Sequence, residues 1–334
     1  MKRALLYGPR DLRVAEGDIP TPKPNEVLIK VITSSICATD AHIYEGTFKF
    51  PYPSIQGHDF TGVIEAVGAE VRSLAVGDRV TMDPISFCLH CRYCRAGRYN
   101  ICETSTYMGM EVEGCFQDYL TLPQHRVFRL PEQVDEEEAA VMEPLHVALN
   151  TMRKLGYKVG ETVVVLGQGP MGLCQGQVAK MVGCRVIVVD VLPKRLKLAE
   201  SYGVDFALNA AELEVNKEIA TICGGDGPHC VIDTAGTEKT NRQTVRIAAN
   251  GGKIAIIAGH FAVPVPFMIG KELQVFGIRG GGPENVELAI RLLQEKRIDL
   301  RSTITTHFDF KDIGEAFRQF YENKENVVKI MLRN

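Results

Sequence analysis

The tightest constraint on the fold of this chain is a glycine pattern set between an apolar run and a helix-like segment. In TVVVLGQGPMGLCQGQVAKMVGCRVIVVD, Gly167, Gly169 and Gly172 directly follow the apolar run, and the next apolar run ends at Asp190, 18 residues beyond Gly172. A strand, a glycine turn, a helix and a second strand closed by an acid form the unit that binds a dinucleotide in a doubly wound parallel sheet. Gly167 permits the turn, Gly169 lets the backbone approach a pyrophosphate, and Gly172 lets the helix pack close to the strand. Pro170 and Met171 lie at the helix start, where free N–H groups favour phosphate charge. Asp190 would accept hydrogen bonds from ribose hydroxyls and repel a 2′-phosphate, which favours NAD over NADP. Lys194 and Arg195 follow closely and pull the other way; Arg195 is counted among the cofactor-contacting candidates. A glycine-rich turn in a non-binding α/β protein is the competing reading.

The rest of the chain divides around this unit. Up to about Val127 the pattern is short β-like runs broken by turn signals, EVLIKVITSSI, DFTGVIEAVG, GDRVTM and FQDYLTLP, which predicts a compact β-rich domain. From Glu161 the runs TVVVLG, RVIVVD, CVIDTAG and KIAIIAG each precede a helix-like or loop segment, the signature of a parallel sheet covered on both faces. From Pro283 the tail reads as two helices, ENVELAIRLLQEKR and KDIGEAFRQFYEN, before a strand-like VVKIML. At 334 residues two domains are expected. We place the change of pattern near residue 148, with a β-rich domain before it and a doubly wound α/β domain after it.

Cys88, Cys91, Cys94 and Cys102 put four of the ten cysteines on one short loop. Close clustering of soft ligands points to metal rather than to disulfides, and four thiolates make a closed tetrahedral zinc site with no position for substrate. Such a metal would order a lobe, RYCRAGRYN, with little apolar material of its own. An iron–sulfur cluster, or a ribbon using Arg92, Arg95 and Arg98 on nucleic acid, are the rivals. The net charge of -3 gives neither nucleic acid nor an anionic membrane an electrostatic attraction. The longest uncharged run, between Lys253 and Lys271, holds Pro264, Pro266 and His260 and reads as buried strand, loop and turn rather than a membrane span. MKRALLYGPRDLRV lacks the apolar core of a secretory signal, so a soluble cytoplasmic protein is expected.

Three further segments carry ligand types: Cys37-Ala-Thr-Asp-Ala-His42, Gly57-His58-Asp59 and Met142-Glu143-Pro144-Leu145. Singly, each is compatible with an ordinary buried cysteine or a structural histidine. Together CATDAH, GHDFTGVIEAVG, the four-cysteine loop, EPLHVAL and VVVLGQGPMGL stand in order over nearly the whole chain. In this it resembles the zinc-containing medium-chain dehydrogenase/reductase family, whose fold is a GroES-like β-rich domain with a Rossmann domain. The resemblance implies a catalytic GroES-like domain at 1–148 and 286–334 with a structural-zinc lobe at 86–104, an NAD-binding Rossmann domain at 149–285, two zinc ions per chain and NAD. Cys37 and His58 would ligate a catalytic zinc, with Glu143, the EPL acid of the sorbitol-dehydrogenase-like branch, ligating it or holding its water. Asp59 stands where the family usually has Glu; one methylene less shortens its reach, and both Asp59 and Glu143 stay candidate ligands. Asp40 would orient His58 through its other ring nitrogen, and Thr39 and His42 match positions that carry the alcohol proton toward solvent.

The implied chemistry is oxidation of a secondary alcohol to a ketone, with hydride passing to NAD+. A polyol, sugar alcohol or sugar acid is the expected class, because an acid in place of a third thiolate makes a harder, more polar site. L-threonine 3-dehydrogenase is the alternative, since CATDAHIY resembles that branch also; its motif around the third acid is usually longer than EPLHVAL. A non-catalytic NAD-binding structural or regulatory protein is the rival of another class. Arg279, after the last apolar strand, could meet an acidic substrate group, the cofactor or a surface carboxylate, and His260 could line the cleft. In this family the strand around Leu273 to Gly277 commonly pairs across subunits, so a homodimer or homotetramer is expected.

Overall fold

The computed structural model describes residues 1–48, 50–259, 264–323 and 325–334. The chain divides into two compact units, Met1–Glu143 with Gly281–Asn334, and Pro144–Gly280.

In the first unit the run EVLIKVITSSI forms the long strand Glu26–Ile36, which pairs with Phe60–Val67 and, along its N-terminal half, with Tyr119–Pro123. Among the described residues the sheet runs Ile304–Asp309, Lys329–Arg333, Glu26–Ile36, Phe60–Val67, Arg79–Met82, Val127–Arg129, with Tyr119–Pro123 off this path. Ile330 lies opposite Ile36 and Leu332 opposite Ser34, so the C-terminal strand runs alongside the segment that leads into Cys37. The core under it gathers Val27, Ile29, Val31, Ile64, Val80, Phe60 and Phe116 with Phe317 of helix Ile313–Glu322. Branched and aromatic side chains suit such a pleated, half-covered surface.

The second unit is a parallel sheet in the order Phe206–Asn209, Arg185–Asp190, Thr162–Leu166, Cys230–Asp233, Lys253–Ile256, Gln274–Gly277. Every residue of Thr162–Leu166 is buried, which is why its sequence is continuously apolar rather than alternating. Helices Pro170–Val182, Pro193–Ser201, Val215–Ile222 and Glu238–Ile247 follow the strands. The winding reverses between Thr162–Leu166 and Cys230–Asp233, and ligands of such sheets bind beyond the carboxyl ends of the strands at that point.

Two segments depart from the sequence reading. Val265–Lys271 is helical rather than loop and turn, with Pro264 at its N-cap and Pro266 in its first turn, where a proline has no hydrogen bond to lose. The tail also contains a strand, Ile304–Asp309, that its mixed polar sequence hides; it pairs in parallel with Lys329–Arg333. His260 lies outside the described residues.

Candidate metal and cofactor sites

The four cysteines converge: one ligand atom from each lies within 4.8 Å of the others. The Cys88 and Cys94 sulfurs are 3.9 Å apart, those of Cys91 and Cys102 4.0 Å. Four thiolates at about 2.3 Å from zinc lie about 3.8 Å from one another, so the cluster fits that ion. Backbone N–H groups of Cys88, Cys91 and Cys94 donate to the sulfurs of Cys102, Cys88 and Cys91. The amide of Cys94 draws the Cys91 thiol down to about 6, toward the thiolate a metal needs. None of the ten cysteines is joined in a disulfide.

Asp40 organises a second site. Cys37 caps helix Ala38–Tyr44, and its N–H donates to Asp40 Oδ2 at 2.9 Å. The N–H of Gly57 donates to Asp40 Oδ1 at 3.1 Å, and His58 Nδ1 lies 3.5 Å from the same oxygen. One buried carboxylate thus fixes both chain segments that carry Cys37 and His58. Burial pushes the His58 imidazole down, but Asp40 and a hydrogen bond with Cys37 outweigh it and hold it well above its ordinary range.

The two acids are engaged differently. Asp59 Oδ2 accepts from Lys329 Nζ at 2.7 Å and from Ser35 Oγ at 3.2 Å, and Lys329 also donates to Ser35 Oγ at 3.0 Å. Lys329 is 1% exposed, and although burial lowers its pKa, Asp59 raises it further, so the lysine stays charged. Glu143 opens helix Glu143–Leu155 and accepts at Oε1 from the Tyr107 hydroxyl, 3.1 Å away. Burial and then Asp59 raise the Glu143 carboxyl, which also lies within electrostatic reach of His58 and Lys329. Cys37, His58, Asp59 and Glu143 therefore share one neighbourhood. Among the described residues, however, the four-cysteine loop is the group whose donor atoms close to within 4.8 Å. The cysteine–histidine–carboxylate chemistry suits zinc; Asp59, expected as a possible ligand, has its carboxylate turned to Lys329 and Ser35. Thr39 and His42 sit three residues apart on helix Ala38–Tyr44, Thr39 half-buried and His42 exposed with Nδ1 3.3 Å from Thr47 Oγ1.

Sequence reasoning missed Lys329, Ser35 and Tyr107. Lys329 is a cation inside the apolar VVKIML, the one available signal; nothing in the sequence around Tyr107 links it to Glu143.

In the second unit, Gly167 takes φ +91°, and Gly169 is the N-cap of the helix begun by Pro170 and Met171. A Cβ on Gly172 would lie 1.8 Å from the carbonyl oxygen of Gly167, whereas one on Gly169 would meet only Arg195 Nη1, at 3.9 Å. The space beside Gly169 is the cradle a pyrophosphate requires. Asp190 accepts from the N–H groups of Gln168 at 2.5 Å, Val191 at 2.8 Å and Leu192 at 2.9 Å, so it also pins the glycine turn to the strand end. Asp233 caps its own strand end two strands over, accepting from Ala235 and Gly236 N–H and from Asn241 Nδ2. Arg279 is exposed, and its carbonyl accepts from Asn150 Nδ2.

The alcohol dehydrogenase GroES-like domain matches residues 23–132, and the zinc-binding dehydrogenase domain matches residues 170–295. The chain belongs to the zinc-binding alcohol dehydrogenase family. Within the family it is 34% identical to an L-threonine 3-dehydrogenase of Deinococcus deserti, over 91% of each chain. It is 32% identical to a sorbitol dehydrogenase of Halalkalibacterium halodurans, over 98% of this chain and 96% of that one. A solved alcohol dehydrogenase (rspB) from E. coli CFT073, complexed with the cofactor NADH, superposes with a TM-score of 0.93 at 33% identity, covering 100% of this chain and 99% of that one.

Proposed function

We propose that this dehydrogenase oxidises a secondary alcohol of a polyol, sugar alcohol or sugar acid to the ketone, with NAD+ as hydride acceptor. The observation that carries the reading is the acid Glu143 in the neighbourhood of hydrogen-bonded Cys37 and His58, where a carboxylate makes the site harder and more polar than a third thiolate would. The likeness to sorbitol dehydrogenase supports the substrate class, and the NADH of the solved relative supports the cofactor.

Cys37, His58 and Glu143 would hold a catalytic zinc, and Cys88, Cys91, Cys94 and Cys102 a structural one. When bound, zinc supplies a Lewis acid for the alcohol oxygen, and NAD+ supplies the hydride acceptor. Asp40 holds Cys37 and His58 in place; Thr39 would accept the alcohol proton while giving up its own hydroxyl proton toward His42, which is exposed on the same helix and would release a proton to solvent. Asp190 and the open space at Gly169 would hold the adenosine ribose and pyrophosphate of the cofactor. Gln274–Gly277 is the last strand of its sheet, beside a helix that exposes Val265, Phe267 and Ile269. That edge supports a homodimer or homotetramer. Among the described residues no helix is long and apolar enough to cross a membrane; cysteines without disulfides suit a cytoplasmic setting.

The test is zinc content together with NAD+ and NADP+ reduction across polyols, sugar acids, L-threonine and simple alcohols. Two zinc ions per chain and turnover of polyols with NAD+ are expected. Turnover of L-threonine alone would establish the second reading, which the 34% identity to L-threonine 3-dehydrogenase favours. NADH binding without turnover of any alcohol would leave a cofactor-binding protein without this chemistry. For the ligand set, full zinc content and turnover in Cys37→Ser would remove Cys37.

A further inference from the structure

We propose that Tyr107 is a positioning residue for the candidate catalytic zinc site, holding Glu143 at the reach from which it serves a metal on Cys37 and His58. The inference rests on the functional reading above.

One side chain touches two of the three candidate ligands. The Tyr107 hydroxyl donates to Glu143 Oε1 at 3.1 Å, and its ring stands edge to face against the His58 ring, centroids 5.2 Å apart and planes at 70°. Glu143 is 8% exposed, so a carboxylate without this partner would be left in a poorly solvated place with its rotamer unfixed. Asp59 is bound to Lys329. Among the described residues, Glu143 accepts its hydrogen bond from a neutral hydroxyl, whereas Asp59 is bound by a charged lysine.

Tyr107 is itself held firmly. Its backbone bridges to Ile85, its N–H donates to Glu111 Oε2 at 2.7 Å, and its carbonyl accepts from the N–H groups of Met110 and Glu111. The preceding Thr106 exchanges hydrogen bonds with Ser86 through both backbone and hydroxyl. This segment leaves the four-cysteine loop at Cys102, so an ordered loop passes its order to Tyr107 and, through the phenol, to Glu143.

Tyr107→Phe removes the hydroxyl and keeps the ring against His58. Groups behind metal ligands commonly change metal affinity 10- to 100-fold. In the full-length zinc-loaded protein challenged with a competing chelator, the variant should lose one zinc equivalent at a concentration about 10- to 100-fold lower than the wild type. The four-cysteine zinc serves as internal reference. The turnover number should fall with little change in KM, and the hydroxyl deletion should add nothing once Glu143→Gln is present. Unchanged or tighter zinc retention overturns the proposal, and so does additivity in the double variant, which marks a merely structural tyrosine. Cys37→Ser separates the two levels. If it also keeps both zinc equivalents, the reading of the site fails; if it loses one while Tyr107→Phe keeps both, the role of Tyr107 alone fails.

Discussion

Lys329 and Asp59 form an ion pair buried from water, with Nζ and Oδ2 2.7 Å apart. Taking two charges out of water costs several kcal/mol each, and removing one partner of such a pair typically costs about 3–5 kcal/mol because the other is stranded. Lys329→Met should therefore lower unfolding free energy by about that much in urea titrations, and Asp59→Asn on the same background should restore most of it. A loss within about 1 kcal/mol for the single variant would mean that the pair is not maintained in solution. Asp83 offers a second measurement. It is 1% exposed, Oδ1 accepts from Ile85 N–H, and burial pushes its carboxyl up to about 7. A carboxyl harder to ionise folded than unfolded destabilises the fold as pH rises from the unfolded value, near 4, to the folded one, near 7. Asp83→Asn should thus gain melting temperature relative to wild type across that window and hold the gain above it. A difference independent of pH would contradict the shift. Asp40, Cys37 and His58 were legible in the sequence because the family motifs name them. Tyr107 was not, because its partner lies 36 residues away with no spacing to reveal it.

The glycine turn shows what an element demands of single residues. Gly172 is excluded from carrying a side chain by the carbonyl of Gly167, 1.8 Å from where a Cβ would stand, while Gly169 has room. Gly172→Ala should unfold more easily and lose NADH binding together with stability. Gly169→Ala should melt like the wild type and bind NADH at least tenfold more weakly, because the methyl occupies the pyrophosphate's approach. Calorimetry with NADH titration reads both, and equal loss of stability in the two variants would refute the distinction. Strands with continuous apolar sequence, such as Thr162–Leu166, were readable because burial on both faces leaves no alternation to interpret. Ile304–Asp309 was not, since its alternating polar residues face out and only pairing with Lys329–Arg333 makes it a strand.

At the scale of the molecule, the four-cysteine loop has little apolar material with which to order itself. Its interior is Phe87, Cys94 and Cys102, with Cys88, Cys91 and Tyr99 packed against them. Removing zinc with a chelator should raise hydrogen exchange across 86–104 and reach Tyr107, while the strands of Pro144–Gly280 keep their protection. Exchange unchanged in 86–104 would show that the loop folds without metal. The glycine fingerprint and the four-cysteine cluster were legible in the sequence alone, because each is a short-range pattern that spacing sets, whereas the role of Asp40 beside Cys37 and His58 came from the family resemblance. Only the tertiary structure decided which partner holds each acid. Asp59 is held by Lys329, 270 residues distant, and Glu143 by Tyr107, since the partner of a buried charge depends on which distant strands the fold closes over it.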